Sequence, residues 1–148
     1  MLLFTANIKP QSLLQTNSAK LIAATFLFVL LKNIPLNKQF YNPMKEVTVQ
    51  ELKSKIDQGE DFQLIDVREQ FEYEMSNLNG ENIPLAGILI EAHKLSKDKP
   101  VIIQCRSGAR STAAIMQLEK QFGMNNLYNL KGGILAWASE FDPEMQVY

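Results

Sequence analysis

Cysteine, histidine and tryptophan each occur only once in the 148 residues, and this scarcity excludes several kinds of protein. A single cysteine cannot form an intrachain disulfide, and with one histidine beside it there is no paired ligand spacing of the kind that holds zinc. The net charge is −1 and the basic residues are dispersed, so the chain has no general attraction for nucleic acid. We therefore expect no metal, no cofactor and no nucleic-acid partner. A free thiol suits a reducing compartment, which favours a cytoplasmic location.

The length and the hydrophobic content of 46% predict one domain of ordinary size with an extension. We place the extension at residues 1–43 and the domain at 44–148, where Met44 would be a natural start. The extension contains an apolar run from Leu21 to Leu31, which as a helix would reach about 16 Å, against roughly 30 Å for the hydrocarbon core of a bilayer. It is too short to span a membrane unaided. It remains open whether residues 21–31 contact a membrane, pack on the domain or are dispensable, and a signal or anchor there would make the protein exported or membrane-associated.

Hydrophobic periodicity within the domain alternates between the strand and helix patterns, which is typical of an α/β protein. Strands separated by helices imply a mainly parallel sheet with helices on both faces. The predicted helices are Thr48 to Asp57, opened by a Thr48–Glu51 capping box, then Gln70 to Met75, Gly87 to Leu95, Ser111 to Phe122, and a final helix entered at Gly132–Gly133. The predicted strands are Phe62 to Val67, a short one at Ile83, the run from Val101 that carries Cys105, and Leu127 to Leu130.

Cys105 stands where an apolar strand ends and a helix begins. The backbone N–H groups of the loop from Cys105 to Arg110 have no carbonyl partners yet, so they converge on whatever lies above the sulfur. With Arg106 and Arg110, their field favours the thiolate. A lone cysteine is more often a small core residue, but ligands of such sheets bind beyond the carboxyl ends of the strands, where Asp66 and Arg68 also lie. Cys105 is therefore predicted to be a nucleophile.

The run Cys-Arg-Ser-Gly-Ala-Arg-Ser that begins at Cys105 resembles the active-site loop of rhodanese-type sulfurtransferases. Three further segments resemble other signatures of that family, in the family's order and together covering residues 44–148. They are Asp66-Val67-Arg68-Glu69 followed by Glu72-Tyr73, then Asn82-Ile83-Pro84-Leu85, and Lys131-Gly132-Gly133-Ile134-Leu135-Ala136-Trp137. The resemblance implies a rhodanese-like fold with a mainly parallel five-stranded sheet.

One departure narrows the resemblance to a subgroup. Most rhodanese domains have Gly-His-Ile where this chain has Ser76-Asn77-Leu78-Asn79-Gly80, so the usual histidine partner of the Asp66–Arg68 region is missing. This segment, the run from Tyr128 to Trp137 and the ending Asp142-Pro143 are similar to the C-terminal rhodanese domain of the molybdopterin-synthase/sulfur-carrier adenylyltransferase-sulfurtransferase enzymes, which charge ubiquitin-like sulfur carriers. No Gly-x-Gly-x-x-Gly follows a strand, so the adenylylating half has no counterpart here.

The resemblance implies that Cys105 takes a sulfur from thiosulfate or a protein persulfide and passes it to a small thiol, to cyanide or to a sulfur-carrier protein. If this implication holds, the loop residues Ser107, Gly108 and Ala109 line the sulfur site, and Arg106 faces its mouth. Arg110 is expected to fix the loop and to receive an anionic donor, unless acidic neighbours hold it. Asp66 and Arg68 are expected to support the loop from behind as a charged pair.

Two other functions stay open. Cysteine phosphatases resemble this site but use Cys-x5-Arg, whereas Arg110 makes this loop Cys-x4-Arg, which contracts the cradle below what a phosphoryl group needs. A rhodanese-fold module that binds a partner, or senses oxidants through Cys105, is the non-enzymatic alternative.

Overall fold

The computed structural model describes residues 43–148. The predictions about the extension, including membrane contact through residues 21–31, lie outside the described residues. Within the described part of the chain, no helix is both long enough and apolar enough to cross a bilayer.

Strands and helices alternate along residues 43–148, as the hydrophobic periodicity predicts. The strands are β1 (Glu46–Val47), β2 (Gln63–Asp66), β3 (Glu81–Asn82), β4 (Val101–Gln104) and β5 (Leu127–Leu130), and the helices are α1 (Val49–Asp57), α2 (Gln70–Met75), α3 (Ala109–Phe122) and α4 (Gly133–Phe141). Two short 3₁₀ turns, Leu85–Gly87 and Ala92–Lys94, lie between β3 and β4. The predicted capping box of Thr48 and Glu51 opens α1, and Gly123 ends α3 in the left-handed region.

The five strands form one sheet in the order β1-β5-β4-β2-β3, and all neighbours are parallel. In the register of β2 and β4, Asp66 lies beside Gln104. The carboxyl ends of these strands therefore meet at one edge of the sheet, and Cys105 follows directly on β4. This confirms the α/β class and the predicted parallel five-stranded sheet, and it brings the Asp66–Arg68 region to the same edge as Cys105.

Each face of the sheet is covered by its own apolar cluster. Ile103 and Cys105 belong to the cluster that α3 covers with Ile115 and Leu118. Ile102 points to the opposite cluster. That second cluster contains Val47, Val49, Leu52 and Leu130, with Trp137 of α4 packed against it. A strand buried on both faces has to be apolar throughout, which explains the unbroken run that precedes Cys105.

Two expectations need correction. Residues 87–95 do not form an α-helix but parts of two 3₁₀ turns joined by irregular chain. No side chain caps either turn, and a helix as short as this is marginal without a cap. Helix α3 begins at Ala109 rather than Ser111. Gly108, with φ of 100°, turns the chain into the helix early, so Ala109 and Arg110 belong to its first turn and not to the loop.

Candidate active site

Cys105 lies at the carboxyl end of β4 and is only 1% exposed. Its sulfur is met from the side of α3 by two donors. The Gly108 N–H donates to Sγ at 3.2 Å, and the Ser111 hydroxyl lies 3.4 Å from Sγ. The sulfur therefore sits under the first turn of a helix, where unpaired N–H groups and the helix dipole favour negative charge.

Opposing effects act on the thiol of Cys105. Burial raises its pKa, while the hydrogen bond from the Ser111 side chain and the backbone N–H groups of Ser111, Ser107 and Gly108 lower it. The lowering wins, so the pKa of Cys105 lies below the ordinary value of a thiol. In a cysteine that served only to fill the core, burial would instead raise the pKa of the thiol. The environment thus favours the thiolate, which is the nucleophilic form.

The loop that carries Cys105 is held from the opposite side by the start of α4. The Ile134 N–H donates to the Cys105 carbonyl at 2.9 Å, and the Leu135 N–H donates to the Arg106 carbonyl at 3.1 Å. Gly133 allows this approach, because a Cβ built on it would lie 2.3 Å from the Cys105 carbonyl oxygen. The Gly132–Gly133 pair therefore brings a helix N-terminus against the back of the loop.

Arg110 forms an ion pair with Glu72 of α2. Its Nη1 and Nη2 donate to the two carboxylate oxygens at 2.5 and 2.7 Å, which is the bidentate geometry of a strong pair. The Arg110 guanidinium holds the pKa of Glu72 below its usual range. The pair ties the first turn of α3 to α2. It uses one N–H of each terminal nitrogen of Arg110, and the expected roles of this residue in fixing the loop and in receiving an anionic donor stay predictions.

The other arginine of the motif, Arg106, is exposed and donates from Nε to the backbone oxygen of Tyr148 at 2.7 Å. Ser107 and Ala109 are exposed as well, while Gly108 is buried. The Tyr148 ring packs edge-on against Phe71 at 5.3 Å between centroids. Arg106 thus lies on the surface of the loop that carries Cys105, and its position at the mouth of the sulfur site stays a prediction.

Asp66 and Arg68 form a fully buried pair. The Arg68 Nε donates to both carboxylate oxygens at 3.0 Å, and Nη2 donates at 2.6 Å to Oδ2 and at 2.7 Å to the Ser76 carbonyl. A backbone oxygen therefore meets Arg68 in the segment where most rhodanese domains have a histidine. Within residues 43–148 the bonds of Arg68 reach Asp66 and the end of α2 and not the Cys105 loop, so the expected support of that loop by the pair stays a prediction. Arg68 Nη1 and Gln104 Oε1 have no partner among the described residues.

Three residues of the site were not assigned a role from the sequence: Glu72, Ser111 and Asn129. All three lie inside the motifs quoted above, and this position in a motif was the sign in the sequence that they could have a role in the site. In the structure Glu72 holds Arg110, while Ser111 contacts the sulfur and donates to Asn129 Oδ1 at 2.6 Å. No group of three or more His, Cys, Asp or Glu side chains is placed to hold a metal ion within residues 43–148.

A family model described as the rhodanese-like domain matches residues 48–140. The probable adenylyltransferase/sulfurtransferase MoeZ of Mycobacterium tuberculosis is 30% identical over 105 residues, which cover 69% of this chain and 26% of MoeZ. The chain thus spans about a quarter of that relative. A protein of Allochromatium vinosum named sulfurtransferase is 35% identical over 96 residues, which cover 64% of this chain and 89% of that protein.

Solved structures agree with this match. A rhodanese-like domain protein from Staphylococcus aureus has a TM-score of 0.60 and 29% identity, and the alignment covers 71% of this chain and 99% of that one. A rhodanese-related protein from Thermoplasma volcanium has a TM-score of 0.57 and 32% identity, with 66% and 93% covered.

Proposed function

Because the chain belongs to the rhodanese-like domain family, we propose that it is a rhodanese-type sulfurtransferase that carries sulfur as a persulfide on Cys105. One observation carries the proposal. The only thiol of the chain lies buried under the first turn of α3 with its pKa lowered by Ser111 and by backbone N–H groups. The same donors suit the anionic outer sulfur of a persulfide.

The reaction has two half-steps. With thiosulfate as donor, the Cys105 thiolate attacks the outer sulfur, the sulfur–sulfur bond of thiosulfate breaks, and sulfite leaves with the bonding pair. Cys105 is then a persulfide anion. In the second half-step a nucleophile attacks the terminal sulfur, the bond to Sγ breaks, and the thiolate is restored. Cyanide would leave as thiocyanate and a small thiol as its own persulfide.

The physiological donor and acceptor form the finer part of the proposal. A small sulfur donor such as thiosulfate, or a protein persulfide, would load Cys105. A small thiol or a sulfur-carrier protein would unload it. The carrier is suggested by relatives such as MoeZ, whose name combines adenylyltransferase with sulfurtransferase. Because no second cysteine is available to displace the sulfur, release needs an external nucleophile.

The test loads the protein with thiosulfate and measures its intact mass. We expect a gain of one sulfur per chain that disappears when cyanide is added, together with formation of thiocyanate. Cys105→Ser should abolish both while leaving the unfolding transition in place. Met116→Ser removes a sulfur-bearing side chain exposed on α3 and serves as the matched control, so it should load like the wild type.

A wild-type protein that never gains the sulfur, but whose thiol reacts readily with peroxide, would favour the oxidant-sensing alternative. Thiocyanate formation by Cys105→Ser at more than a few per cent of the wild-type rate would refute the assignment of the nucleophile.

A further inference from the structure

The Ser111 hydroxyl is shared among more acceptors than it can satisfy. Its oxygen lies 3.4 Å from Cys105 Sγ, 3.0 Å from the Gly108 carbonyl and 2.6 Å from Asn129 Oδ1, with donor geometry toward each. A hydroxyl has one proton, so it can donate one full hydrogen bond at a time. Whichever acceptor holds that proton, the other two go without it. The Cys105 sulfur therefore competes with Asn129 for this bond.

Asn129 has the means to decide the competition. It lies on β5, where it is the register partner of Ile103, and it is only 4% exposed. Its side-chain amide carries an acceptor on one side and two donors on the other, in nearly the same shape. With Oδ1 toward Ser111, as here, the amide accepts the hydroxyl proton. Turned by half a rotation, Nδ2 would donate to the Ser111 oxygen, which leaves the hydroxyl proton to the Gly108 carbonyl or the sulfur. Of these two acceptors an anionic sulfur is the stronger, because it carries a full charge.

We propose that Asn129 is a positioning residue whose amide orientation directs the Ser111 hydroxyl proton toward the Cys105 sulfur or away from it. The anionic sulfur, as thiolate or persulfide, selects the orientation that donates to Ser111. A neutral thiol leaves the amide in the orientation of the structure. The significance for turnover rests on the proposed function, whereas the relay from Asn129 through Ser111 to Cys105 does not.

The relay matters because the sulfur has few other donors. Ser111 is the side chain that lowers the pKa of Cys105 most, and the remaining lowering comes from backbone N–H groups that no substitution of a side chain removes directly. A hydrogen bond to a charged group is strong enough to change the thiolate fraction by roughly tenfold or more at a pH below the pKa. Loss of this one bond should therefore be measurable as a shift of about one pKa unit.

Charged groups around Cys105 stay the same in the variants that test the relay, apart from the charge that Asn129→Asp itself adds. The surrounding elements carry two ion pairs, Asp66–Arg68 at the end of β2 and Glu72–Arg110 between α2 and α3. They also carry Glu69 ahead of α2, Arg106 in the loop and Lys131 after β5. Among these groups, Arg110 has its pKa raised mainly by Glu72 and to a smaller extent by Cys105. None of these groups is changed by Ser111→Ala.

The experiment follows the rate of alkylation of Cys105 by iodoacetamide from pH 5 to 10 in the full-length protein. Only the thiolate reacts, and Cys105 is the only cysteine, so the profile reports its apparent pKa. We expect Ser111→Ala to raise that pKa by about one unit and to slow alkylation near pH 6 about tenfold. Thr112→Ala removes a hydroxyl one position along α3 and should leave the profile unchanged.

The role of Asn129 is tested by Asn129→Asp, alone and together with Ser111→Ala. A carboxylate can only accept hydrogen bonds, so the new side chain should hold the Ser111 hydroxyl proton. The pKa of Cys105 should then rise by more than the added negative charge alone would cause. In the double variant there is no proton to divert, and the rise caused by Asn129→Asp should be clearly smaller. A coupling of this kind is the signature of residues that act through one another.

Two results would overturn the relay: a Ser111→Ala profile that coincides with the wild type, or effects of the two substitutions that simply add. Neither depends on sulfur transfer. If the profiles shift as expected but thiosulfate never loads Cys105, the relay stands and the proposed function fails. If loading succeeds and the profiles coincide, the proposed function stands and the relay fails.

Discussion

Gly133→Ala is the substitution for which the structure makes the sharpest prediction. Gly133 has a φ of 61° and begins α4 against the back of the loop that carries Cys105. A Cβ placed on it would lie 2.3 Å from the Cys105 carbonyl oxygen and 2.6 Å from that of Arg106. Both contacts are with backbone, so no flexible side chain can move aside. The start of α4 and the Cys105 loop would have to separate.

The cost has two parts. A left-handed conformation costs a non-glycine residue roughly 1–2 kcal/mol. Separating the helix from the loop also breaks the bonds that Ile134 and Leu135 donate to the two carbonyls, and stranding buried polar groups costs about 1–3 kcal/mol in all. The expected loss in the free energy of unfolding is therefore about 2–5 kcal/mol, a large share of the roughly 5–15 kcal/mol typical of a domain.

Gly123→Ala provides a matched control, because Gly123 has a φ of 65° but no atom within 4 Å of the added Cβ. It should show the conformational cost alone. With a slope of about 2 kcal/mol per molar urea, the unfolding midpoint should fall by roughly 1–2.5 M for Gly133→Ala and by roughly 0.5–1 M for Gly123→Ala. Thiosulfate loading should be lost only in the first. Equal midpoints for the two variants would refute the claim that α4 holds the loop through this close approach.

Two further predictions concern the ion pairs. Arg68→Met removes one partner of a fully buried pair and leaves Asp66 as an uncompensated charge. Urea unfolding should therefore show that the free energy of unfolding falls by about 3–5 kcal/mol. Adding Asp66→Leu in the same chain should restore most of that loss. Glu72 has its pKa lowered by Arg110, so its contribution to stability is complete above the unfolded value of about 4.3 and is lost as the pH falls through the lower folded value. Unfolding midpoints measured between pH 6 and pH 3 should therefore decline less steeply for Glu72→Gln than for the wild type, and parallel curves would contradict this.

Local patterns were enough to predict the part of the site that lies on one stretch of chain. The unbroken apolar run before Cys105 indicates a strand buried on both faces, and the periodicity after Gly108 indicates an amphipathic helix. Their junction then places the thiol under a helix N-terminus, which is where it lies. The predicted start of α3 is wrong because Gly108 caps the helix and lets it begin at Ala109, and the positive φ of Gly108 is not visible in a hydrophobic pattern.

The partners of the site could not be predicted in the same way. Glu72 and Arg110 are 38 positions apart, and Ser111 and Asn129 are 18 apart. They meet because β5 lies next to β4 and because α2 follows β2 on the other side, and this order is set by the sheet as a whole. A motif identifies such residues as candidates, but only the strand order says which side chains share a hydrogen bond.

The arrangement of charge also bears on the choice between sulfur and phosphoryl chemistry. A phosphoryl group spreads its charge over three oxygens and is bound by an arginine fork, which needs two N–H groups along one edge of the guanidinium. In this site the Nη1–Nη2 edge of Arg110 is bonded to Glu72, so that edge could receive a phosphoryl group only if the bidentate pair broke. The donors aimed at Cys105 are instead neutral and converge on a single atom: the Gly108 N–H and the Ser111 hydroxyl. A one-atom anion such as the outer sulfur of a persulfide needs no fork. The short Cys-x4-Arg loop and the convergence of the donors on one atom are thus two separate reasons for preferring sulfur transfer to phosphoryl transfer.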